Sequence, residues 1–132
     1  MFRGKIDGLR LGKDNTVRIP LSLSKLIGTE EIGIYGNTHE SCLSLIPLSR
    51  LDKIDVPLGM CFGHYALNKK NRLYLPEQAQ QFAGIENTSR IIIIGMFDYM
   101  EVWSNDVFDK IFIELPCSAE DIKTFRKDMN LG

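Results

Sequence analysis

The sequence has no apolar run near the roughly 20 residues a membrane-spanning helix needs; its longest, residues 91–94 with their neighbours, is strand-sized. The first residues also lack the apolar stretch of a signal peptide, so the chain is expected to be cytoplasmic, with no membrane partner. Cysteine is scarce. Cys42, Cys61 and Cys117 are an odd set without a CxxC or Cys/His spacing, which argues against a disulfide framework and a zinc site and leaves free thiols as the expectation. His39 and His64 are the only histidines, and neither lies in an HxxxH or Ser/His/Asp pattern. Phosphate-cradling loops are missing too: Gly33 and Gly36 are not followed by Lys-Ser/Thr, and no GxGxxG is present. These absences point away from an enzyme and predict no metal, no cofactor and no small-molecule substrate.

The 132 residues are 44% apolar, enough for a packed core. Charge is unevenly placed although the net value is only −1. Residues 1–28 carry Arg3, Lys5, Arg10, Lys13, Arg18 and Lys25 against Asp7 and Asp14, a net +4. Residues 60–84 carry Lys69, Lys70 and Arg72 against Glu77, a net +2, whereas residues 29–59 sum to −3 and residues 85–132 to −4. Such segregation suits a protein with one face toward a polyanion and the acidic excess elsewhere.

The two basic segments are copies of one pattern. Lys13-Asp14-Asn15-Thr16-Val17-Arg18-Ile19-Pro20 aligns with Lys69-Lys70-Asn71-Arg72-Leu73-Tyr74-Leu75-Pro76 at an offset of 56, and the match extends to Leu26-Ile27-Gly28 against Phe82-Ala83-Gly84. In each copy an Asn-centred polar run predicts a tight turn, because Asn tolerates the left-handed backbone. Val17 and Ile19, or Leu73 and Leu75, then alternate with Arg18 or Tyr74 at the period of a half-buried strand. Proline ends that strand and suits the first turn of a helix, and glycine two turns later fits the helix end.

A β-hairpin follows in each copy: residues 32–35 and 42–46 closed near residues 37–41, and residues 91–94 and 99–103 closed near 96–98. The isoleucine-rich strands read as buried on both faces. Short helices are expected after each hairpin, with Ser49 and Asp52, or Ser104, at their starts, and Ser118 to Asp121 resembles a capping box for a final helix. Proline and glycine within residues 55–59 mark a linker. The organisation expected is a first half-repeat over 1–59, a second over 60–117 and a C-terminal helix over 118–132.

These landmarks resemble the MraZ family, bacterial transcription regulators built from two AbrB-like half-repeats. Met1-Phe2-Arg3-Gly4, the paired turn-strand-proline units, Cys42 to Pro47, Phe62-Gly63-His64, and Ile94-Gly95 followed by Met100-Glu101-Val102-Trp103-Ser104 fall in the family's order. The resemblance spans about residues 1–112. It implies an α+β, mainly β fold: duplicated AbrB-like half-repeats of swapped-hairpin or double-split β-barrel type, with short helices. It also implies a DNA-binding regulator that forms homo-oligomers on promoters with direct repeats, in the cytoplasm and nucleoid-associated. The family's turn signature is D-x-x-G-R. Here Asn68, Asn71 and Arg72 stand at its Asp, Gly and Arg positions in the second copy, and Gly12, Asn15 and Thr16 in the first. Only one signature arginine is present, and the segment between repeats is shorter than the family's.

On that resemblance Arg72 is the first candidate for contact with a base edge or a phosphate. Lys69, Lys70, Lys13 and Arg18 would supply phosphate contacts, Asn68, Asn71 and Asn15 the turns, and Arg3 and Arg10 are secondary candidates. The first copy is expected to contribute mainly packing and general electrostatic attraction. The competing reading is an oligomerising protein-interaction module of the same fold with weakened DNA binding. Tyr99 and Trp103 could anchor such a contact, although their place beside an isoleucine-rich strand reads first as core.

Overall fold

The computed structural model describes residues 1–55, 58–86 and 89–111. Period-two patterning produces eight strands: β1 (Lys5–Arg10), β2 (Thr16–Arg18), β3 (Glu31–Asn37), β4 (Leu43–Pro47), β5 (Leu58–Ala66), β6 (Arg72–Tyr74), β7 (Arg90–Gly95) and β8 (Met100–Ser104). Three helices of two turns, α1 (Leu21–Ile27), α2 (Glu77–Ala83) and α3 (Asn105–Ile111), and a 3-10 helix over Leu48–Lys53 complete the described residues.

Six strands form one sheet in the order β1-β7-β8-β4-β3-β5, and β2 pairs with β6 separately. Exchanging each strand for its counterpart, β1 for β5, β3 for β7 and β4 for β8, turns this order into its own reverse. The molecule is therefore pseudo-two-fold symmetric, with Ser44 opposite Glu101 and Val17 opposite Leu73 as the central residue pairs. Only the hairpins β3/β4 and β7/β8 lie within one copy. Every other pairing, β1 with β7, β3 with β5, β4 with β8 and β2 with β6, joins one copy to the other. This is the swapped, mainly β arrangement expected of AbrB-like half-repeats.

The isoleucine-rich strands are buried on both faces, as their composition requires. Ile91 and Ile93 join Ile32, Ile34, Leu43 and Leu45 in the cluster beneath β2, β6, α1 and α2. Ile92 and Ile94 point the other way, into a second cluster with Ile46, Trp103 and Phe108. Each such side chain contributes about 1.5–3 kcal/mol by leaving water. Tyr99 and Trp103 are 2% and 0% exposed, so both belong to the core and neither can anchor a partner.

The helix boundaries obey the proline-glycine logic with a shift of one residue. Pro20 and Pro76 occupy the N-cap with extended ψ of 144° and 151°, just ahead of the first turn, and Gly28 and Gly84 close the helices at φ 67°. Ser49 is a correction. It lies inside the 3-10 helix, whose N-cap is Pro47, and its amide and hydroxyl both donate to Glu30 at 2.9 Å. The turn begins directly after β4, too early for Ser49 or Asp52 to cap it. The first copy thus has a 3-10 helix where the second has α3. β5 begins at Leu58, so the expected boundary between residues 59 and 60 falls at its start. The expected C-terminal helix and Cys117 lie outside the described residues.

Candidate nucleic-acid interface

The two Asn-centred turns flank the short β2/β6 ribbon, one at each end, because the strands are antiparallel and register Thr16 with Tyr74, Val17 with Leu73 and Arg18 with Arg72. At three residues each, the strands keep the turns close enough to touch. Their backbones are alike bond for bond. The amide of Gly12 donates to the carbonyl of Thr16 at 2.7 Å, and that of Asn68 to the carbonyl of Arg72 at 3.0 Å. Asn15 donates to Gly12 and Asn71 to Asn68, each at 3.0 Å. Asn15 and Asn71 take φ of 62° and 59°, the left-handed conformation for which Asn was singled out. Each turn also grips the other copy: the amide of Ile19 donates to Asn71 and that of Leu75 to Asn15, both at 2.9 Å.

Side chains break this symmetry. Asn68 Oδ1 accepts the amides of Lys70 and Arg72 at 2.8 and 3.0 Å, an Asx-type brace for the second turn. Gly12 at the matching position has no side chain, and the first turn is braced by the Thr16 hydroxyl donating to Asp14 Oδ1 at 2.7 Å. Arg72 crosses to the opposite turn. Its Nε donates to Thr16 Oγ1 at 2.7 Å and its Nη2 to the carbonyl of Thr16 at 2.9 Å. Two of the five guanidinium N–H bonds are thereby satisfied within the protein. The Thr16 hydroxyl bond holds the Asp14 carboxyl below the ordinary carboxylate range, with smaller help from nearby backbone N–H groups and the Arg72 charge, against a desolvation contribution.

A cleft of about 700 Å³ opens between the turns, lined by Gly12, Asp14, Arg18, Asn68, Lys69, Lys70 and Arg72. Four cationic side chains from both copies thus converge against a single carboxylate. A neighbouring depression of about 260 Å³ is lined by Arg18, Ile19, Leu21, Lys70 and Asn71, and a third of about 420 Å³ by Leu11, Gly12, Lys13 and Asn15. Lys13, Lys69, Lys70 and Arg18 are exposed and Arg72 is half-buried.

The fold therefore brings eight of the ten expected residues into the paired turns. Arg10 stands close by, two residues before Gly12 at the cleft end of β1, where it lies opposite Arg90 of β7. Arg3 is not brought there. It precedes β1, beside the Phe2–Phe97 bridge, and the six residues of β1 separate it from the turn by about 20 Å. Arg90 has no counterpart among the expected residues, because only long-range strand pairing places it beside Arg10. Thr16 reads locally only as the absence of the first copy's arginine; its contact with Arg72 spans 56 positions and has no local signal.

No curated protein matches the sequence. The family described as "MraZ protein, putative antitoxin-like" matches residues 63–129, just over half of the chain. This stretch starts within β5, contains the second turn with Arg72, and continues beyond α3; the first copy lies outside it. With the doubled turn, the swapped strands and this match in hand, the chain belongs to the MraZ family.

Proposed function

We propose that the paired turns are the surface through which this protein binds DNA as a transcription regulator. The family is of a regulator type and not an enzyme type. The observation that carries the reading is the convergence of Arg18, Lys69, Lys70 and Arg72, drawn from both copies, on one cleft. Cations so placed act on phosphates irrespective of sequence, whereas the half-buried Arg72, with a fixed direction, is suited to a base edge or one defined phosphate. Lys13, Asn15, Asn71 and Asn68 shape and flank the cleft, and Arg10 extends its charge along β1.

One such surface offers few contacts, so specific affinity requires several presented together. The protein accordingly acts as a homo-oligomer on promoters carrying repeated sites, in the cytoplasm and associated with the nucleoid. The half-repeats over 1–59 and 60–117 serve as one interlocked unit in each protomer.

Binding to a duplex carrying direct repeats from the protein's own promoter, against a scrambled duplex of equal length, tests the reading. The wild type should favour the repeats, and Arg72→Ala should lower affinity for them by about tenfold. Equal binding to both duplexes, unchanged by Arg72→Ala, would refute the sequence-specific role. A second reading, an oligomerising protein-interaction module, draws support from the two Arg72 donors spent on Thr16; oligomers that bind no DNA would favour it.

A further inference from the structure

We infer that Gly12 and Thr16, the positions where the first turn departs from the repeated signature, are positioning residues for Arg72. This inference rests on the DNA-binding reading above. Thr16 receives the guanidinium on two atoms, Oγ1 and its carbonyl oxygen, and its hydroxyl proton is directed to Asp14. That order of donation leaves the oxygen lone pairs for Arg72. Gly12 supplies the space. A Cβ there would stand 2.7 Å from Arg72 Nη2 and 2.9 Å from Asp14 Oδ1, closer than real contacts allow. The signature aspartate could not occupy this position with the arginine where it is.

The two departures and the remaining arginine are thus one coupled set. An arginine at position 16 could not offer the hydroxyl that receives Arg72, and any side chain at position 12 would expel its Nη2. A long cation would ordinarily sweep through many rotamers. Held at two points, Arg72 enters complex formation with that freedom already reduced, which raises affinity without adding charge. The cleft is consequently one-armed: the arginine of the second copy is seated on the first copy's turn, near the centre of the paired surface.

The test is a set of mutant cycles on the full-length chain, read by binding to the promoter duplex over a range of salt. Thr16→Val removes the receiving oxygen of the side chain at similar volume. Gly12→Ala displaces only the end of a flexible side chain and keeps the fold accessible if the valine variant is poorly folded. Each should weaken binding by about tenfold in the wild-type background, and by no more than about twofold when Arg72 is already alanine. Neither changes a charge, so the dependence of affinity on salt should keep its slope. Thr16→Ser should restore binding, and Arg72→Lys, which keeps the charge without the fork, should not. If Arg72→Ala weakens binding while Thr16→Val and Gly12→Ala act additively with it, the positioning role is wrong and the interface stands. If Arg72→Ala has no effect while Lys69→Ala with Lys70→Ala weakens binding, the positioning role is again wrong and only the phosphate contacts remain. Unchanged binding in all of these variants would overturn the DNA-binding reading itself.

Discussion

Asn15 and Asn71 show how much a single side chain decides here. Each holds φ near 60°, a region that costs a β-branched residue about 1–3 kcal/mol and glycine nothing. Asn71→Val should therefore lower unfolding free energy by about that amount, whereas Asn71→Gly should be close to neutral; chemical denaturation distinguishes them. Asp14 makes a prediction in pH. Its folded carboxyl lies below the ordinary value, chiefly through the Thr16 hydroxyl, so the unfolded chain binds the proton more readily. The stabilisation is fully present above the unfolded value, about 3.9, and is lost as pH falls through the depressed folded value. Melting temperatures taken from about pH 5 downward should fall less steeply for Asp14→Asn than for wild type. The same substitution removes the one carboxylate lining the cleft, and should raise affinity for DNA. The left-handed turns could be read from the sequence because asparagine's tolerance is local. The Thr16–Arg72 contact could not, since it depends on two turns that meet only after strand pairing.

Among the elements, β2 and β6 have most to hold for their size. They are three residues each, and they set both turns through the central Val17–Leu73 pair. Both side chains are fully buried. Leu73→Ala should cost about 2–5 kcal/mol, and the disturbance should reach the two turns together, visible as coincident shifts of the Asn15 and Asn71 amides in NMR spectra. Hairpins, helices α1 and α2 and the isoleucine strands were legible because alternation, proline and glycine act within a few residues. The 3-10 helix was misread at Ser49 because a serine near a helix start resembles a cap. Here its hydroxyl instead donates to Glu30, 19 residues away.

At the scale of the whole molecule, interlocking dominates. With four of six strand pairings running between copies, a half-repeat alone would expose both faces and the edges of its strands. Fragments 1–59 and 60–132 should each lack a cooperative unfolding transition, and the intact chain should unfold in a single one by calorimetry; a folded isolated half would contradict the interlocked unit. Duplication was visible in the sequence, but swapping was not, since both hairpin sequences would read the same if each copy paired with itself. The resemblance to AbrB-like repeats supplied that expectation. The purpose of joining the halves, on this account, is to hold two basic turns side by side. The slope of log affinity against log salt measures how many phosphates that surface neutralises, at about 0.9 per contact. Lys69→Ala with Lys70→Ala should shallow the slope by roughly 2 relative to wild type, while a binding curve with the same slope in both proteins would show that the paired turns are not where DNA is held.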